Sequence, residues 1–469
     1  MIMRSKLKLA LLAAIILIGG ALYYHLYFKK EKPDILLISM DSLRSDHLGC
    51  YGYNKDTSPN IDALAGQGTL FVNTISTTSW TLPAHMSLLT AMDISVHGVA
   101  TDGFSLHTGI PTIAEVLKSN GYSTACFCSS PYMNPAFGFD RGFDLYYNID
   151  FEREGFTNTL LPPVEETDFV HQDITSPRIT ELANNWLEKN YSRPFFLFVH
   201  LWDVHYDYIP PPPFDTIFDP DYSGSIDGRK FDHNEKINPD MDKRDLQHII
   251  SLYDGEIKFT DHYLGQIIKK LKDLGTFENT LIIVTADHGD EFFEHGNKGH
   301  RRTLYDEVIK IPLIVKLPAG RFRNRKISSQ VSLIDVASTI LGVAGIEIPE
   351  QMQGRNLLPL IEGDRNAVPR YAYSELSMVL ESLRSNNWKL LYNREADVFT
   401  ILDLKNDPRE SHNKLITGGP IWNEAHKAFF SRRQQDEQLA EQYRGKKRGT
   451  VVRMDENTRV RLRSLGYIK

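Results

Sequence analysis

The chain has 469 residues, 41% hydrophobic and 24% charged, enough to bury a full core as one large domain or two unequal ones. A net charge of −7, with basic residues scattered along the chain, gives no field for a polyanion, so nucleic acid is not an expected partner. Only three cysteines occur, Cys50, Cys126 and Cys128, which excludes a disulfide framework.

Arg4, Lys6 and Lys8 precede an almost uncharged run over residues 9–28, closed by Lys29, Lys30 and Lys32. About 20 apolar residues make one bilayer crossing. The run ends in Tyr23, Tyr24, His25 and Tyr27, an interfacial aromatic cluster rather than a cleavage site. Residues 1–32 are therefore expected to form an uncleaved membrane anchor with an extracytoplasmic catalytic domain; cleavage would give a secreted protein.

Beyond the anchor, strands and helices alternate. DILLISM over 34–40 reads as a buried strand, and residues 59–70 as a helix capped by Ser58 with proline in its first turn. YSTACFC from Tyr122, PFFLFVHL from Pro194, TLIIVTAD from Thr280 and IPLIVKLP from Ile311 continue the strands. Helices are predicted over 113–119, 176–189, 243–274 and 332–341. Near-continuous apolar strands between helices predict an α/β fold, a mostly parallel sheet covered on both faces. Alternation puts Cys126 and Cys128 on one strand face, as core. Two polar, proline-rich stretches, 148–175 and 210–243, read as long loops over a site. From about residue 349 the pattern changes to short strand-like pieces (RYAYSEL, NWKLLYN, VFTILDL) and a polar helix over 422–443. The expected division is an anchor (1–32), a catalytic domain (33–348) and a C-terminal subdomain with a small antiparallel sheet (349–469).

Two strands end in acids: Asp41 follows ILLISM, and Asp287 with His288 follows LIIVTA. In open α/β sheets the carboxyl edge is where ligands bind. ADHGDEFFEHG gathers carboxylates and imidazoles too densely for a turn and points to metal ligation. Oxygen and imidazole donors without thiolate suit zinc, manganese, magnesium or calcium. In SWTLPAHMSLLTA, Pro83 marks a helix's first turn and puts Thr81 at its N-terminus. Free N–H groups and the helix dipole favour an anion there, and an alkoxide over a hydroxyl.

Taken in order, DILLISMDSLRSDHLGCYGY, TSPNIDALAGQG, SWTLPAHMSLLTAMDISVHGV, HLWDVHYDYIPPPPF, YDGEIKFTDHYLGQII and TLIIVTADHGDEFFEHGNKGH with LYDEVIKIPLIVKLP resemble the sulfatase family of the alkaline phosphatase superfamily. The resemblance spans residues 33–360 and runs more loosely through SLRSNNWKLLYN and ILDLKNDPRESHNK to LRSLGYI. It implies an alkaline-phosphatase-like fold. Asp41 matches the first aspartate of the family's metal-binding pair, with Ser42 in place of the second; Asp287 and His288 match the downstream ligands. His205 and His300 match positions that contact the transferred group or the leaving group. Lys298 and Arg301 are candidate anion contacts, and Asp102 stands where relatives often carry a substrate-touching asparagine.

Members of the family convert a Cys or Ser of Cys-x-Pro-x-Arg to formylglycine. Here the stretch reads Thr81-Leu-Pro-Ala-His85, so no formylglycine is expected and His85 replaces the assisting arginine. A metal-bound threonine alkoxide is the nucleophile of phosphodiesterases and phosphoryl transferases that look like this fold. The expectation is a metal-dependent hydrolase or transferase of anionic esters, foremost phospho(di)esters. Asp41, Thr81, Asp287 and His288 would hold the metal, and Thr81, His85, His205 and His300 would form the catalytic set. An envelope lipid headgroup or glycan is the expected substrate. Sulfate-ester hydrolysis without formylglycine and an inactive sulfatase-like membrane scaffold are the alternatives.

Overall fold

In the computed structural model, which describes residues 32–149, 174–364, 371–411, 418–444 and 450–452, DILLISM forms β1 (Asp34–Met40) with all its residues buried. Eight further strands complete its sheet: β2 (Thr69–Ile75), β3 (Ser123–Cys128), β4 (Leu145–Asn148), β5 (Phe195–Leu201), β6 (Thr280–Ala286), β7 (Lys310–Lys316), β8 (Arg325–Ile327) and β9 (Val331–Ser332). Their order is β8-β2-β7-β6-β1-β5-β3-β4, with β9 also on β2. β1 lies between β5 and β6, parallel to both. This central place is what an uninterrupted apolar run needs, since both of its faces are covered. The sheet is mostly parallel, with β7 running antiparallel to both β2 and β6. Cys126 and Cys128 are buried in β3 as expected.

The principal helices are α1 (Pro59–Gly66), α2 (Thr81–Thr90), α3 (Ile113–Ser119), α4 (Ser176–Asn190), α5 (Lys243–Asp273), α6 (Asp335–Ala344) and α7 (Pro420–Arg444). The helix expected over 59–70 stops at Gly66, and Thr69 opens β2. Pairing with β7, β8 and β9 supplies β2 with cross-strand hydrogen bonds, and this outweighs local helix preference. Ser58 precedes α1, but its hydroxyl donates to Asp62 (3.1 Å) instead of capping. Asp261 of α5 accepts the N–H groups of Asn60 (3.0 Å) and Ile61 (2.8 Å) in its place.

Toward the C-terminus, β10 (Ala372–Leu376), β11 (Leu380–Arg384), β12 (Lys389–Asn393) and β13 (Val398–Leu402) form a four-stranded antiparallel sheet. β11 was not expected from the sequence. Tyr373, Leu383, Trp388, Leu390 and Ile401 pack with Ala425 and Phe429 of α7 in an apolar cluster separate from the main core. Arg432 of α7 pairs with Asp93, while Asp436 accepts from Ser95 (3.1 Å) and Gln353 (2.8 Å). The small sheet and its helix are thereby fastened to the region around α2.

The stretch from Pro210 to Asp242 contains no strand or α-helix. Asp207 anchors it by accepting from the N–H groups of Lys230 (2.6 Å) and Phe231 (2.7 Å). The expected anchor, apart from Lys32, lies outside the described residues, as do most of the 148–175 loop and the closing LRSLGYI. No helix among the described residues is long and apolar enough to cross a membrane.

Candidate active site

The registers of β1, β5 and β6 put Met40 level with Leu201 and with Ala286. Asp41 and Asp287, each one residue further on, therefore emerge together at the carboxyl edge of the sheet. Ser42 then adopts φ 53°, a left-handed conformation costly for a residue with a Cβ. That turn lets its N–H donate to Asp287 Oδ1 (3.2 Å) while its hydroxyl donates to Asp41 Oδ1 (3.1 Å). Ser42 thus orients both acids from the place of the missing family ligand.

His288 is fixed from two sides. Its N–H donates to Asp287 Oδ1 (2.9 Å), and its Nδ1–H donates to the Gly289 carbonyl (3.1 Å). Nε2 is then left facing the acids, 3.3 Å from Asp287 Oδ2, 3.3 Å from Thr81 Oγ1 and 3.9 Å from Asp41 Oδ1. Gly289 is required by close approach: a Cβ there would lie 2.2 Å from the Glu307 carbonyl oxygen.

Asp41, Asp287 and His288 are fully buried, and Asp287 Oδ2 has no hydrogen-bond partner among the described residues. Burial, with Asp287 adding to it, pushes the Asp41 carboxyl well above its ordinary range. Burial acts the same way on Asp287, but His288, His85 and His200 reverse it. His288 is lowered by burial and raised by Asp287 and Asp41, with a net rise. The cluster demands a positive charge, and its oxygen and imidazole donors fit a divalent cation. His288, Asp290 and His300 form a second grouping of potential ligands that shares His288.

Thr81 begins α2, a helix buried along its whole length. One turn on, His85 donates from Nδ1 to the Thr81 carbonyl (3.0 Å) and accepts the Ser39 hydroxyl at Nε2 (3.0 Å). Burial holds His85 down at about 3, so it is neutral. It thereby ties the Thr81 carbonyl to Ser39 of β1.

His300 donates from Nδ1 to Asp290 Oδ1 (2.7 Å), and Tyr208 donates to Asp290 Oδ2 (2.6 Å). Burial, His288 and Arg301 hold His300 well below its ordinary value. Its ring centre lies 4.3 Å from that of His288 and 5.0 Å from that of His205. His205 stacks on Trp202 (4.1 Å) and donates from Nδ1 to the Tyr206 carbonyl (2.5 Å). Beyond Trp202 and His205 a cavity of about 690 Å³ opens between α5 and the long loop.

Of the expected anion contacts, Arg301 lies against Ser79 and Trp80, the two residues before Thr81. Its N–H donates to Ser79 (3.0 Å), and its guanidinium rests 4.2 Å over the Trp80 ring and 3.1 Å from the Tyr132 hydroxyl. Lys298 is turned elsewhere: it donates to the carbonyls of Asn234 (3.1 Å) and Ile237 (2.7 Å) and pins the long loop. Asp102 is half-buried in the turn before Gly103, and its charge is felt by the Tyr132 hydroxyl.

Three participants were missed in the sequence. His200 places Nε2 3.2 Å from Asp41 Oδ2; a histidine one residue from the end of an apolar strand, level with Ser39 of β1, was the available clue. Asp290 stood in view within ADHGDEFFEHG. Arg44, which donates to the Asp290 carbonyl (2.9 Å) and Glu294 (2.5 Å), gave no sign beyond its nearness to Asp41.

The sulfatase family model matches residues 33–346. The chain belongs to the sulfatase family. A second model, described as the C-terminal part of N-sulphoglucosamine sulphohydrolase, matches residues 294–433. Among sulfatase relatives, the N-acetylglucosamine-6-O-sulfatase of Bacteroides thetaiotaomicron is 23% identical over 82% of this chain and 82% of its own. The phosphonate monoester hydrolase of Agrobacterium radiobacter has a similar fold, with a TM-score of 0.69 at 20% identity over 87% of this chain and 96% of that one. A structure solved with its substrate D-glucosamine-2-N,6-O-disulfate gives a TM-score of 0.69 at 20% identity over 88% and 98%. This sulfatase-family chain is an ester hydrolase, not the inactive scaffold considered as an alternative.

Proposed function

We propose that the enzyme cleaves or transfers a phosphoester, foremost a diester, through a covalent intermediate on Thr81. The observation that carries this reading is the Thr81 hydroxyl at the start of α2, 3.3 Å from His288 Nε2 in the buried cup that contains Asp41 and Asp287. Asp41, Asp287, His288 and Thr81 would hold a divalent cation, Mn, Zn, Ca or Mg, which would lower the hydroxyl pKa and offset the charge of the phosphoryl group.

The chain's own groups account for the rest. The α2 N-terminus stabilises the Thr81 alkoxide, and Arg301 meets a phosphoryl oxygen. Thr81 Oγ1 bonds to phosphorus as the bond to the leaving alcohol breaks; the proton that Thr81 gives up is accepted by His205 or His300 and passed to the leaving oxygen. Water or an acceptor alcohol then attacks phosphorus and releases Thr81. The proton of that water or alcohol returns to Thr81 through His300, whose Nδ1–H is committed to Asp290 and which accepts at Nε2. The apolar run at residues 9–28 supports a membrane-anchored, extracytoplasmic enzyme acting on an envelope lipid headgroup or glycan.

Sulfate-ester hydrolysis on a glycan is the second reading, favoured by relatives named as sulfatases. Against it stands the chemistry of Thr81: a sulfated threonine has no geminal hydroxyl to expel sulfate. Full-length protein assayed on aryl phosphodiester, phosphomonoester, phosphonate and sulfate under several metals is expected to favour the phosphodiester and to trap a phosphorylated Thr81 peptide. Activity that survives Thr81→Ala refutes the nucleophile, and preferential turnover of sulfate overturns the ranking.

A further inference from the structure

Among the described residues, the cavity beside His205 carries the acids Asp203, Asp207, Asp215, Asp227 and Glu256, with His205, Arg229 and His248 as its bases. Arg229 pairs with Asp227 (3.7 Å) and His248 with Asp219 (2.9 Å). The cavity is therefore rich in carboxyl groups although the adjoining centre is built to receive an anion. Asp203 and Asp207 have structural partners. Asp203 accepts the N–H groups of Thr175 (2.6 Å) and Ser176 (2.8 Å) at the start of α4, and Asp207 anchors the long loop.

Glu256 differs from both. One of its oxygens accepts the Ile209 N–H (2.9 Å), and the other has no hydrogen bond to the described residues. The side chain lines the cavity and is 4% exposed. Burial, with Asp203 nearby, pushes its carboxyl well above the ordinary range, a tension that a cation in the cavity would relieve. The neighbouring Gly255 brings the loop close, since a Cβ there would lie 2.4 Å from the Phe214 carbonyl oxygen. A glycine inside a helix is destabilising relative to alanine, and this approach accounts for it.

We infer that the alcohol portion of the substrate bears a primary ammonium, which Glu256 binds in this cavity while the Thr81 centre holds the phosphoryl group. The inference rests on the phosphoester reading. A neutral hydroxyl can also donate to Glu256, but it leaves the carboxyl-rich wall uncompensated, whereas an ammonium donates and neutralises at once. Aminoalcohols and aminosugars share this chemistry.

The test uses full-length, metal-loaded protein and the methyl phosphodiesters of 2-aminoethanol and of glucosamine. Each is paired with its hydroxyl counterpart, from ethylene glycol or glucose, and the released alcohol is quantified. kcat/KM is expected to favour the amine of at least one pair by roughly tenfold or more; the pair that does so identifies aminoalcohol or aminosugar. Glu256→Gln is expected to bring that ratio toward unity, chiefly through KM. Equal turnover within both pairs by the unmodified enzyme, which needs no variant to fold, overturns the inference. A preference that Glu256→Gln leaves intact overturns it too. Turnover of aryl sulfate but of no phosphodiester overturns the phosphoester reading, and this inference with it.

Discussion

Asp287 shows how much of the site depends on single atoms. Oδ1 is committed to the N–H groups of Ser42 and His288, whereas Oδ2 has no hydrogen-bond partner among the described residues. Asp287→Asn preserves the shape but removes the charge proposed to bind a cation. Stoichiometric divalent metal, measured by elemental analysis after dialysis, is expected to fall away in this variant while the circular dichroism spectrum is kept. Retained stoichiometric metal would remove Asp287 from the ligand set. Gly289 makes the opposite demand, for space. Gly289→Ala drives a Cβ against the Glu307 carbonyl, and the overlap is expected to cost about 1–3 kcal/mol in urea denaturation and to displace His288, with loss of activity.

Single elements gain their definition from partners far along the chain. α1 begins on the carboxylate of Asp261, in α5, which takes two N–H groups that Ser58 leaves open. Asp261→Ala is expected to destabilise the fold by about 1–2 kcal/mol in chemical denaturation, while Ser58→Ala, which removes no capping bond, is expected to cost less. Equal losses would contradict this assignment. The long loop shows the same dependence: Asp207 and Lys298 fasten it from two sides and hold it over the cavity beside His205.

Across the whole molecule, the ADHGDEFFEHG segment is joined to the C-terminal region through His295. Its Nε2–H donates to the Glu410 carbonyl (3.0 Å), Nδ1 pairs with Glu307, and the ring stacks on Tyr305 at 3.6 Å. Burial lowers His295, but the Glu307 hydrogen bond and charge more than offset this and raise it to about 9. Unfolded histidine titrates near ~6.5, so the folded value is the higher one. The stabilisation is fully present below the unfolded value and is lost as pH rises through the folded one. The stability difference between the unmodified protein and His295→Gln, from urea titrations, is expected to be larger at pH 8 than at pH 10. A difference independent of pH would show that His295 contributes only packing.

Hydrophobicity and strand length are local properties, so β1, β3, β5, β6 and β7, the acids after β1 and β6, and the start of α2 at Thr81 were legible in the chain itself. The sulfatase resemblance was legible for the same reason, because its motifs are contiguous. Relations between distant segments were not. The end of α1 at Gly66, the antiparallel direction of β7 and the strand β11 depend on pairing partners that local preference does not contain. At the site, the sequence by itself pointed to the acids and histidine that the structure gathers and to the hydroxyl beside them. Only the tertiary structure decided that His200 reaches Asp41, that His85 ties Thr81 to Ser39, that Lys298 turns to the loop and that Glu256 lines a cavity. Apart from His85 and Thr81, which are one helical turn apart, these are contacts across tens to hundreds of residues, and the register and packing of the sheet determine which side chains meet.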